Sequence, residues 1–95
     1  MKKIKKWCYG DYSNNNGNCQ AVQIGSLTLY FSYDTVVAYD YNGRLVISEN
    51  VWSTTTGKHL NFIDRDKDKR LPHNQFQDKL KEALDRCNLS LKEVK

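Results

Sequence analysis

At 95 residues, with 39% hydrophobic residues, 27% charged residues and a single proline, the chain has room for one small domain and excludes both a disordered polymer and two separate active lobes. No apolar run approaches the roughly 20 residues of a membrane-spanning helix, so no membrane partner is expected. The formal charge of +4 favours an acidic partner, although the excess sits in the first six residues and in 65–70 rather than in one stripe, and a solvated charge run is the simpler reading.

The lysine-rich opening, Met1 to Lys6, resembles the charged start of a signal peptide, but Trp7, Cys8, Tyr9, Gly10 and Asp11 stand where an apolar segment should follow. Export is therefore not expected. Cys8, Cys19 and Cys87 are odd in number and widely spaced, a poor disulfide framework that suits a reducing cytosol and a cytoplasmic location. Residues 4–9 read as an edge strand whose lysines oppose sheet-to-sheet aggregation, and 10–18, with three consecutive asparagines, as a mobile polar loop.

Two hairpins are expected over 19–49. Gly25-Ser26 has glycine first, as a type II′ turn requires, and Asn42-Gly43 is a type I′ signal. The first turn pairs Ile24 with Leu27, Val22 with Leu29 and Gln20 with Phe31, placing five apolar residues on one face. The second pairs Asp40 with Leu45, Ala38 with Ile47 and Val36 with Glu49, leaving Val37, Tyr39 and Val46 on the opposite side. Both faces of this hairpin are partly apolar, so it is either covered twice or leaves Tyr39 and Tyr41 exposed. Tyr33-Asp34 supplies a tight connection between the hairpins.

Residues 50–63 form a threonine-rich polar stretch, with a short helix beginning near Thr56 and carrying Leu60 and Ile63 inward. A longer helix is expected over 72–88, where Phe76, Leu80, Ala83, Leu84 and Cys87 recur at three-to-four-residue intervals. Pro72 and Asn74 are its start signals, Asn74 and Gln77 are spaced as a capping box, and Asn88 is its stop. Residues 90–95 read as a tail or last turn. The expected class is α+β: an antiparallel meander of four to five strands with one long C-terminal amphipathic helix packed on one face.

Asp64, Asp66 and Asp68 alternate as in the first half of an EF-hand loop, but Lys69 stands where the glycine belongs and Gln75 where the closing glutamate belongs. A charged loop leading into the next helix is the simpler expectation. Thr56-Gly57-Lys58 lacks the earlier glycine of a phosphate-binding loop and has His59 in place of serine or threonine. A simpler anion site remains open at a helix start built from Thr55, Thr56 and backbone amides near Lys58; the alternative is that the threonines cap the helix. His59, His73 and the cysteines lack close metal-ligand spacing, so no metal or cofactor is expected. His59 lies near Ser53 and Asp64 in sequence, which is no convincing nucleophile and base set, so no enzymatic activity is expected.

The segments Tyr30-Phe31-Ser32-Tyr33-Asp34-Thr35-Val36-Val37-Ala38-Tyr39, Leu45 to Ser53, and Thr55-Thr56-Gly57-Lys58-His59-Leu60-Asn61 together resemble a family of small uncharacterised proteins associated with phages, plasmids and mobile elements. The resemblance covers about the middle half of the chain, leaves the first 18 residues outside, and implies a genomic context rather than an activity.

The expected function is that of a small non-enzymatic protein-binding module of phage or mobile-element type, occupying a host protein as a host-takeover or counter-defence, anti-CRISPR-like, inhibitor in the host cytoplasm. Its contact residues would be Trp52, Thr55, Thr56, Lys58, His59 and Asn61, with Trp52 either an anchor or a core residue. The alternative is nucleic-acid binding by a basic sheet that presents Tyr30, Tyr39 and Tyr41 for stacking and Arg44 for phosphate.

Overall fold

Glycine and asparagine conformations set the register of the sheet. Gly25 (φ +59°), Asn42 (φ +54°) and Gly43 (φ +83°) occupy left-handed backbone at the two expected turns. The computed structural model, which describes residues 4–9 and 19–89, contains strands β1 (Ile4–Cys8), β2 (Gln20–Ile24), β3 (Leu27–Ser32), β4 (Thr35–Tyr41) and β5 (Arg44–Ser48). Helix α1 (Thr54–Ile63), a 3-10 turn (Lys67–Lys69), strand β6 (Arg70–Leu71) and helix α2 (His73–Arg86) follow. The expected loop over 10–18 and tail over 90–95 lie outside the described residues.

The sheet has six strands in the order β1-β2-β3-β4-β5-β6. Its first five form the expected antiparallel meander, whereas β6 runs parallel to β5, through Ile47 with Arg70 and Ser48 with Leu71. The all-antiparallel expectation is therefore corrected to a mixed sheet. A parallel neighbour requires a crossover, and α1 with its following loop provides it.

Pairs Ile24 with Leu27, Val22 with Leu29, Asp40 with Leu45 and Ala38 with Ile47 match the turn arithmetic. The first ladder stops at Ala21 and Tyr30, short of Gln20 and Phe31. Glu49 lies beyond β5 and does not pair with Val36. Its N–H instead donates to Leu71 O at 2.8 Å, and its carboxylate accepts from His73 N at 2.8 Å. That carboxylate caps α2 from outside; the expected Asn74 cap is displaced because the helix already starts at His73, behind a Pro72 that makes no side-chain cap. At the other end Asn88 (φ +55°) stops the helix as expected, with Leu89 N donating to Leu84 O and Asn88 N to Asp85 O. This pairing is a Schellman closure.

Both faces of the sheet are covered, so one helix on one face is corrected to two helices on two faces. Val22, Ile24, Leu27, Leu29, Phe31, Val36 and Tyr39 bury against Phe76, Leu80, Ala83 and Leu84 of α2. Val37, Ala38 and Ile47 bury against Leu60 of α1, flanked by Tyr30, Leu45, Trp52 and Ile63. A bulge makes this division possible. Tyr30 pairs with Ala38 but Phe31 with Val36, so Val37 is an extra residue in β4. It reverses the expected sides of the two valines: Val36 joins Tyr39 under α2, and Val37 joins Ala38 under α1.

Cys8, which ends β1, and Cys19, which precedes β2, are not joined by a disulfide, and their sulfurs lie 3.5 Å apart.

Candidate functional site

The segment from Asn50 to Asn61 is built by side chains that hydrogen-bond the backbone. Asn50 Oδ1 accepts from Trp52 N at 3.0 Å and its Nδ2 donates to Ser53 O at 3.0 Å, folding the entry to α1. Ser53, in extended backbone, accepts from Thr56 N at 3.3 Å and is the N-cap. Gly57 sits inside the helix, not in a phosphate loop. A Cβ there would lie 3.0 Å from Asn50 Nδ2, so the missing side chain lets the Asn50 turn pack on the helix.

Thr56, His59 and Leu60 turn inward at helical spacing and are buried. Ser32, at the end of β3, completes a polar cluster: its Oγ lies 2.7 Å from His59 Nδ1 and 3.0 Å from Thr56 Oγ1. The Ser53 hydroxyl donates to Thr56 Oγ1 at 3.4 Å. Tyr33 lies against the imidazole with ring centres 5.8 Å apart, and Tyr9 meets it edge-on at 6.4 Å. Burial lowers the His59 pKa, favouring neutral imidazole. Thr56 and His59, expected as contacts, are therefore corrected to buried supports, 4% and 1% exposed. Ser32 was not among the candidates, because its only signal is a small hydroxyl alternating with Tyr30 on the sheet face.

Trp52 is packed on one side and open to a groove on the other. Half-buried, it packs against the Leu60 cluster and meets the His73 ring edge-on at 5.1 Å. It also lines a groove of about 200 Å³ with Ser32, Tyr33, Thr35, Val37, Ser53 and Thr56. Behind it His73 Nδ1 contacts Ser48 Oγ at 3.3 Å; since the Ser48 hydroxyl proton goes to Glu49 O, the imidazole is the donor. Its Nε2 then accepts from Gln77 Nε2 at 3.4 Å.

The outer side of α1 carries the remaining candidates. Thr55, Lys58 and Asn61 are exposed, and Asn61 Oδ1 accepts from Arg70 Nη2 at 2.9 Å, tying the helix to β6. Thr55, Lys58 and Phe62 are spaced three and four residues apart and share a helix face. Phe62 is 41% exposed, Val51 beside the helix 51%, and Tyr33 at its flank 49%. Tyr33 also holds left-handed backbone (φ +56°), a costly conformation for an aromatic residue.

The tyrosines expected to stack with bases are divided by the fold. Tyr30 is half-buried with Tyr9 edge-on at 5.4 Å, and Tyr39 is buried against Phe76, its hydroxyl donating to Lys79 O at 3.3 Å. Tyr39 is thus a core residue, not an accessible stacking surface. Tyr41 stays half-buried beside exposed Arg44.

Among the described residues, no group of three or more histidine, cysteine or acidic residues is placed to hold a metal ion. Asp64 and Asp66 direct carboxylate oxygens back to Asp66 N at 2.8 Å and Asp68 N at 3.0 Å. The Asp66 N–H and the nearby Lys69 ammonium hold the Asp64 carboxyl below its usual pKa. This loop leads into β6 before the helix, a correction to the expected direct helix start. No described helix is long and apolar enough to cross a membrane.

A family model described as "Family of unknown function (DUF8033)" matches residues 2–78. The chain belongs to DUF8033. The DUF8033 match takes in β1, which the sequence resemblance left outside, and runs through α1 and β6 into the first turns of α2. No curated protein and no solved structure gives a match.

Proposed function

We propose that this DUF8033 protein is a non-catalytic protein-binding module that uses the outer surface of α1. The observation carrying this reading is the placement of Tyr33, Val51 and Phe62, each more than 40% exposed, on or beside a helix held from beneath by the Ser32, Thr56 and His59 cluster. Exposed rings on a rigid support lose little conformational freedom on association, and Thr55 and Lys58 add oriented polar contacts beside them. Trp52 and Asn61 hold the two ends of the surface.

The partner is a host protein, and the module is of phage or mobile-element type, acting by occupancy as a takeover or counter-defence inhibitor. The resemblance carried by residues 30–39 and 45–61 supports that context. A stacking platform across the whole sheet is the weaker alternative, because α2 covers Tyr39 and Tyr9 packs on Tyr30.

The test is affinity capture from host lysate with the folded wild type and with Phe62→Ala, Lys58→Ala and Lys81→Ala, after nuclease treatment and at two salt concentrations. A nuclease-resistant protein retained by wild type and Lys81→Ala, but lost with the α1 variants, is expected. Identical capture by all four proteins would overturn the assignment to this face.

A further inference from the structure

On the opposite side of the sheet from α1, charged and aromatic side chains of β4, β5 and α2 meet around a groove of about 220 Å³. Tyr41 ends β4 and Arg44 begins β5, and the two are paired directly across the Asn42-Gly43 turn. From α2, Lys79, Glu82, Ala83 and Arg86 line the facing wall. Their spacing of three, four and seven residues puts them on one helix face. Tyr39 and Val46 complete the floor, and the bond from the Tyr39 hydroxyl to Lys79 O joins sheet to helix and holds the two walls together.

The charges do not cancel. Among the described residues the ion pair is Lys69 with Asp64, so Arg44, Lys79 and Arg86 face the groove without a salt bridge, and Glu82 is the single carboxylate in its lining. Three cations from two different elements around one concavity call for an anion with several acceptor oxygens, which guanidinium groups bind through paired N–H donors. Tyr41 offers a ring for a flat partner. Glu82 accepts hydrogen bonds only, and so selects a partner edge bearing an amino group, as carboxylates do with the cytosine N4 amine. The volume falls below the roughly 300–1,000 Å³ of pockets that enclose drug-sized ligands. It suits one ring and one phosphate, partly open to solvent.

We propose that this groove binds a single nucleotide unit, with phosphate held by Arg44, Lys79 and Arg86, the base against Tyr41, and an exocyclic amino group donating to Glu82. The same chemistry is offered by a free mononucleotide and by one residue of a single strand. The site goes beyond the protein-binding reading, from which it is separated by the thickness of the sheet.

The test is titration of the full folded chain with cytidine monophosphate, uridine monophosphate, cytidine, inorganic phosphate and an oligodeoxycytidylate, followed by amide chemical shifts and calorimetry. Cytidine monophosphate is expected to move resonances of residues 41, 44, 79 and 86 and to bind more tightly than cytidine or phosphate alone. Arg44→Ala and Arg86→Ala should each weaken it about tenfold, in line with loss of a charge-assisted contact, while leaving the circular dichroism spectrum unchanged. Glu82→Ala should erase the preference for cytidine over uridine monophosphate. Saturation by the mononucleotide identifies a free nucleotide as the ligand; binding of the oligonucleotide alone, weakening as salt rises, identifies a strand. Absence of binding to both, equal affinity for inorganic phosphate, or binding indifferent to Arg44→Ala and Arg86→Ala would overturn the proposal.

Discussion

Replacing Ser32 by alanine tests whether the polar cluster beneath α1 holds the candidate surface in place. The hydroxyl contacts His59 Nδ1 at 2.7 Å and Thr56 Oγ1 at 3.0 Å, and Ser32 is 2% exposed, so water cannot take its place without local opening. A buried polar group stripped of a partner costs about 1–3 kcal/mol. At about 4–8 °C per kcal/mol for a domain of this size, Ser32→Ala should lower the melting temperature by roughly 4–24 °C. The assay is paired thermal and urea unfolding monitored by circular dichroism, with Lys58→Ala as the exposed control, expected within about 0.5 kcal/mol of wild type. A Ser32→Ala, His59→Leu, Thr56→Val triple variant removes the polar partners together and should be more stable than the sum of the single changes implies. A Ser32→Ala protein within about 0.5 kcal/mol of wild type would refute the supporting role of the cluster.

The buried His59 also makes stability depend on pH. Its folded pKa lies below the ordinary value, so the stabilisation is present above an unfolded pKa of about 6.5 and is lost as pH falls, because the unfolded chain takes up the proton more readily. Urea midpoints measured from about pH 8 to about pH 5 should fall for wild type and fall less for His59→Leu, and equal slopes would contradict this. Gly57→Ala should gain up to about 1 kcal/mol of helix propensity in an Asn50→Ala background and less in wild type, where the Asn50 amide crowds the new methyl. Additive unfolding energies would count against that contact. With sulfurs 3.5 Å apart, Cys8 and Cys19 should form a disulfide by exchange with glutathione disulfide, seen as the loss of two hydrogens in intact mass and of the crosslinked peptide in Cys8→Ser. Exclusive formation of glutathione adducts would refute it.

The hairpins were legible because their information is local. Gly25-Ser26 and Asn42-Gly43 demand backbone that few other residues adopt, and alternation from each turn then assigns the apolar faces. The inward stripe of α2 was equally plain, since Phe76, Leu80, Ala83 and Leu84 repeat without interruption. Long-range features left weaker traces. Strand β6 spans two residues, too few to show a period, and its parallel pairing depends on where α1 returns the chain. Glu49 caps α2 across 24 positions in sequence, so no local capping box announces it. The candidate surface was legible as a polar run from Asn50 to Asn61, but the division into buried Thr56 and His59 and exposed Thr55, Lys58 and Asn61 required the helix phase. The contribution of Ser32 required knowing which strand end lies beneath that helix.

The extra residue Val37 ties the two layers of packing to one another. Through it β4 sends Val36 and Tyr39 to one core and Val37 and Ala38 to the other, while its backbone pairs with both β3 and β5. Neither helix can leave its face for long without unsettling a strand that the other helix also needs. Amide exchange along β4 should accordingly wait for opening of the whole domain, and urea should slow-protect no half of the molecule separately. Variation on the outer sides of α1 and α2 can then tune two surfaces independently in contact chemistry while both draw on a single cooperative unit of stability.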